Sequence, residues 1–140
     1  MSDADYAWAT DPAAVAQAMA DRDLGKPIAM LNLIRFRDRA AYEPESGEAP
    51  CSGEEAYARY VTHVSPILES LGAKITLSGY CWMLGDAAAW DRAFVVHYKS
   101  TADLLSIPAR EDYQRIHHHR TAAIAETHLL MLDYDDTGFR

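Results

Sequence analysis

The stretch Pro27–Phe36, read as PIAMLNLIRF, limits the fold more than any other part of the chain. It is almost wholly apolar, with one asparagine in its middle. A run of this length is too short to cross a bilayer and fits a strand buried on both faces. Successive side chains of a strand point to opposite sides. One side therefore carries Ile28, Met30, Asn32, Ile34 and Phe36, and the other Ala29, Leu31, Leu33 and Arg35. Both sides need cover, and the Asn32 amide needs a partner, because a buried unpaired amide costs about 1–3 kcal/mol.

With 140 residues the chain reads as a single domain over 1–140, a core at 26–136 preceded by an appended N-terminal helix within 1–25. A net charge of −8 argues against nucleic acid, which is held largely by Lys and Arg on phosphates, and against an anionic membrane surface. The opening MSDADYAWAT lacks the basic end and apolar stretch of a signal peptide, and no window reaches transmembrane length. Cys51 and Cys81 form no CxxC or zinc spacing, so the expectation is a cytoplasmic protein with reduced thiols.

Asp11-Pro12 starts a helix that runs to about Asp23 and is ended by Gly25 and Pro27. Arg37–Cys51, rich in Glu, Pro and Gly, is a long aperiodic loop. It reads as a solvated acidic insertion or, more sharply, as a mobile lid over a pocket. Ser52-Gly53-Glu54-Glu55 is a capping box, and Tyr57, Tyr60, Val61, Val64, Ile67, Leu68 and Leu71 follow at helical spacing up to Gly72. Pro66 inside that helix predicts a kink near Thr62 to Pro66. Lys74–Gly85 reads as a strand with a bulge or bend at Gly79, and Arg92–Lys99 as a second buried strand. Ser100 caps a short turn, Arg110–Thr127 reads as the second main helix, and His128–Asp135 as the last strand. The core order is strand, helix, strand, strand, helix, strand, the split βαβ plan. Right-handed crossovers put its first and third strands in the centre of an antiparallel sheet with both helices on one face. The other face would expose a large apolar patch, which a second copy of the chain would cover in a homodimer.

The second helix holds the most specific functional clue. Tyr113, Ile116, Ala123, Ile124 and Thr127 form its inward stripe, with Arg120 in the middle of it and His117 at its edge. The run His117-His118-His119 cannot converge on one metal from a regular helix, so no metal site is expected. An inward guanidinium cannot lose its proton and must be paired or face a ligand. Arg120 as a structural arginine beside a carboxylate and Arg120 as a ligand anchor both remain open. Asn32 and His97 are lone polar groups in apolar strands, and each read singly is a satisfied core residue. Read together, Asn32, Tyr60, His97, His117 and Arg120 come from four elements that should surround one volume. No GxGxxG, P-loop, GxSxG or HExxH motif is present.

The segments MLNLIRFRDRAAYEP, SGEEAYARYVTHVSPILESLGAKI, WDRAFVVHYKS and REDYQRIHHHRTAAIAETHLLML resemble the domain of unknown function catalogued as thirteen-thirty, over Pro27 to Asp133. The resemblance implies an α+β, ferredoxin-like βαββαβ fold and a dimeric α/β barrel, two four-stranded sheets packed face to face. It implies polar pocket residues at Asn32, Arg35, Tyr60 and Arg120, but no particular reaction. The N-terminal helix and the long acidic loop depart from shorter members.

Four readings of function follow. The first is a homodimer holding a small anionic or enolic molecule on Arg120, with no cofactor. The second is a cofactor-independent monooxygenase or isomerase with His97 or His117 as general base and Asn32 or Arg120 stabilising an oxyanion. The third is a haem or metal protein using one of those histidines, as the wider superfamily implies, and the fourth a structural or interaction module.

Overall fold

The computed structural model describes residues 12–81 and 90–133. The expected Asp11 cap, the expected strand residues 82–85 and the tail from 134 onward lie outside the described residues. Helix α1 is Pro12–Met19, and β1 is Ile28–Phe36. Helix α2 is Gly53–Ser70, and strands β2 and β3 are Lys74–Tyr80 and Arg92–Tyr98. Short helices α3, Thr101–Ser106, α4, Glu111–Gln114, and α5, His117–Ala123, lead into β4, Ile124–Leu132.

The four strands form one antiparallel sheet in the order β2-β3-β1-β4, which puts β3 and β1 in the centre. This is the α+β, ferredoxin-like arrangement, with the helices on one face of the sheet. Its core follows from alternation: Ile28, Met30 and Ile34 of β1 and Val96 and Tyr98 of β3 are buried on the helix side. There they pack with Val64 and Ile67 of α2 and with Leu104, Ile107 and Tyr113. A second cluster gathers Ile34, Cys51, Ala56, Tyr57 and Ala123. Neither cluster includes the odd-numbered side chains of β1.

Helix α2 begins where the capping box predicts. Ser52 Oγ accepts from the Glu55 amide at 3.0 Å, and the Ser52 amide donates to Glu55 Oε1 at 3.4 Å. The helix continues through Pro66, and the Ser65 hydroxyl donates to the Val61 carbonyl at 2.6 Å. Gly72 at φ 67° ends it, a conformation that favours glycine. Gly53 is required for a different reason: a methyl there would drive into the carbonyls of Arg37 and Ala123, where the starts of α2 and of the long loop meet the end of α5.

Three expectations change. The helix expected over Arg110–Thr127 is broken at Arg115-Ile116, and its last residues belong to β4. The β-branched Ile124 and Thr127 pair there with Phe36 and Ile34, so sheet pairing overrides helical spacing. The bulge in β2 falls between Ile75 and Leu77, while Gly79 pairs in register with Ala93. The Arg37–Cys51 loop is tied down: Ala40 donates to the Cys51 carbonyl and Ala41 to the Ala122 carbonyl, each at 2.9 Å. Cys51 is buried and both cysteines are free thiols.

Candidate functional site

Between the sheet and α2 lies a crevice with a volume of about 150 Å³. Its floor is Met30 and Asn32 of β1, Phe94 and Val96 of β3 and Leu129 of β4, and its wall is Tyr57, Tyr60, Val64 and Leu68 of α2. Tyr98, Leu104, Ile107 and Tyr113 close the end nearest α3, and Ser78, Arg92 and Arg120 supply further polar groups. A cavity of this size lined by apolar side chains can hold a single aromatic ring. None of the described residues lining it is acidic.

The polar groups are few and specific. Asn32 is buried, and its Nδ2 donates to the Met30 carbonyl at 3.1 Å. Among the described residues its Oδ1 accepts nothing. The hydroxyls of Tyr60 and Tyr113 lie 3.1 Å apart. Burial pushes the Tyr57, Tyr60 and Tyr98 phenols up, so they act as neutral hydroxyls. Arg92 donates from Nη2 to Ser78 Oγ at 2.8 Å and lies over the Tyr80 ring, 5.2 Å from its centroid. Its Nε is buried and, among the described residues, has no hydrogen-bond partner. Arg120 is half-buried in the wall and, among the described residues, has no ion pair and no hydrogen bond. Its charge is felt by Tyr57, Tyr60 and His117.

Of the residues singled out from sequence, Asn32, Tyr60 and Arg120 meet at this crevice. The other three do not line it. Arg35 is on the opposite face of β1, exposed and paired with Glu126 at 3.1 Å. His97 pairs in register with Ala29 and Lys74, which puts it on that same opposite face. His117 packs its ring against Tyr113, 5.5 Å between centroids, and borders a separate shallow groove with Gln114, His118 and Thr121. Burial, then the charge of Arg120, hold its imidazole below the usual histidine range. The long loop does not line the crevice. It packs instead on α5, where Tyr42 reaches His119.

Sequence reasoning missed Arg92, which lines the crevice. The signal was available: Arg92 shares parity with Phe94, Val96 and Tyr98 in RAFVVHYK, and those side chains face the helices. It also passed over His118 and His119, whose rings are 4.1 Å apart and both approach Glu48 of the loop. A histidine run on one helix does not converge by itself; the carboxylate that both imidazoles approach comes from another segment.

The family described as "Domain of unknown function (DUF1330)" matches residues 49–134. The crystal structure of methylated RPA0582 protein is 35% identical, covering 91% of this chain and 93% of that one with a TM-score of 0.78. The structure of RPA0582, a protein of unknown function from Rhodopseudomonas palustris, is 34% identical, covering 89% and 93% with a TM-score of 0.76. No curated protein matches the chain. Among the described residues no helix is long and apolar enough to cross a membrane.

Proposed function

The chain belongs to the DUF1330 family, and we propose that its crevice binds a ring-sized organic anion, a carboxylate or enolate, as a homodimer-forming small-molecule-binding protein. One observation carries this reading: Arg120 stands in the wall of an apolar cavity that no described acidic residue lines, with no ion pair or hydrogen bond among the described residues. A guanidinium stays charged at any ordinary pH, and leaving it unpaired at a largely apolar wall is unfavourable. An anionic ligand oxygen would pair with it, while Asn32 and the Tyr60–Tyr113 hydroxyl pair orient the rest.

The oxygenase or isomerase reading is less well supported, because neither His97 nor His117 lines the crevice. No described histidine lines it at all, which leaves a haem iron without an imidazole there. The homodimer rests on the open face of the sheet, where Leu77, Leu130 and Leu132 are 69%, 47% and 44% exposed around the half-buried Leu31, Leu33 and Val95. A contiguous patch of this kind fits the same patch on a second copy.

Titration calorimetry with benzoate and with its neutral analogue benzamide tests the binding reading. The expected result is benzoate bound at least tenfold more tightly, with Arg120→Met removing the difference. Equal affinity for the two compounds in the unmodified protein would overturn it.

A further inference from the structure

Outside the crevice, the loop between β1 and α2 and the helix α5 bring three ligating groups to one point. Glu48 Oε1 lies 3.1 Å from His118 Nε2 and 3.8 Å from His119 Nε2, and one ligand atom from each of the three residues lies within 4.8 Å of the others. In a tetrahedral zinc site with bonds of about 2.0–2.1 Å, ligand atoms are separated by roughly 3.4 Å. We propose that Glu48, His118 and His119 bind a divalent transition-metal ion of the zinc type, which clamps the long loop to α5. The fourth position is open to solvent.

The surroundings have the features that a two-histidine, one-carboxylate site needs. Gly47, at φ 75° after the short 3-10 turn Pro44–Ser46, turns the chain so that Glu48 comes back toward α5. His119 is buried, and its other ring nitrogen, Nδ1, is 2.7 Å from the Tyr42 hydroxyl. When Nδ1–H donates to that oxygen, Nε2 keeps its lone pair for the ion, the arrangement by which ligating histidines are held in one tautomer. The His63 ring stacks on His119 at 5.7 Å and 14°, which fixes the plane of the imidazole. Arg59 lies 3.7 Å from the second carboxylate oxygen, Oε2, and donates to Tyr42 at 3.3 Å. It holds the carboxylate's rotation and leaves Oε1 to the ion. His118 and Glu48 are partly exposed, which gives water access to the remaining coordination position.

The same donor set serves ferrous ions, and nitrogen-rich sites generally follow the Irving–Williams order, so zinc alone is used as the probe. The untagged protein is titrated with Zn²⁺ against a chromophoric chelator and melted with and without one equivalent. The expected result is one ion per chain and a raised melting temperature. Glu48→Gln and His118→Ala, both at partly exposed positions, should each weaken binding by more than about a hundredfold, and Tyr42→Phe by about 10–100-fold. Circular dichroism of the zinc-free variants checks that they fold. Binding by the unmodified chain no tighter than by Glu48→Gln and His118→Ala would overturn the site, as would a zinc-induced shift in melting that survives both substitutions.

Discussion

The two faces of the central sheet have opposite deficits. On the helix-covered face the apolar side chains of β1 and β3 are buried, and it is polar groups that find no partner among the described residues: Asn32 Oδ1, Arg92 Nε and the Arg120 guanidinium. On the open face Arg35 is paired with Glu126, and it is apolar side chains that lack cover, Leu77, Leu130 and Leu132 among them. Unsatisfied polar groups in an enclosed apolar space are relieved by a polar ligand. Exposed apolar surface is relieved by more apolar surface. One strand, through simple alternation, thus supports a binding site on one side and an interface on the other.

Breaking the open face should have the largest effect. Val95 sits on β3 between Leu31 and Leu77 in the register of the sheet. Val95→Glu puts a carboxylate in the middle of the proposed dimer interface, and an uncompensated buried charge costs several kcal/mol. Loss of the soluble dimer to aggregated or unfolded protein is the expected outcome by size-exclusion chromatography with light scattering. Were the unmodified chain itself a well-folded monomer at micromolar concentration, the contrast between the faces would lose its second half.

The helix-covered face responds differently. Arg120→Met keeps the stem volume while removing a charge that has no described carboxylate partner, so thermal stability should stay within about 1 kcal/mol or rise. A loss of about 3–5 kcal/mol would mean that the substitution had stranded a buried carboxylate, and Arg120 would then be structural. Melting the two proteins without ligand separates these outcomes.

Much of this was legible in the chain. Strand order, the capping box at Ser52 and the central place of PIAMLNLIRF follow from hydrophobic period and local hydrogen-bonding chemistry, and they hold. Asn32 and Arg120 could be named because a lone polar residue in an apolar pattern is a local signal. His97 misleads for a physical reason: membership of a central strand does not say which face a side chain takes, and its register with Ala29 puts it on the open side. Arg35 was implied by the resemblance alone, although alternation already set it on the side of β1 opposite Asn32. His118, His119 and Glu48 were not legible, since 70 residues separate the carboxylate from the first imidazole and only the tertiary path of the loop joins them.

A smaller effect sharpens the picture of the crevice. Asn32→Leu replaces the amide by an apolar group of similar volume, and a neutral hydrogen bond is worth about 0.5–1.5 kcal/mol. Benzoate affinity should therefore fall by roughly two- to tenfold with little change in the melting temperature. An affinity unchanged within error would remove Asn32 from the ligand's contacts and leave the arginines to orient it.

The smallest expected effect is at Arg35, and it tests the division between faces most directly. Its pair with Glu126 is about half exposed on both sides, 47% and 48%, so solvent screens the attraction. Pairs of that kind contribute about 0–1 kcal/mol. Arg35→Met should therefore leave stability almost unchanged. Benzoate binding should be unaltered too, because the side chain projects from the opposite face of the strand that carries Asn32. A tenfold loss of benzoate affinity with the dimer intact would mean that the ligand is reached from the open face, and the assignment of binding to one face and assembly to the other would fail.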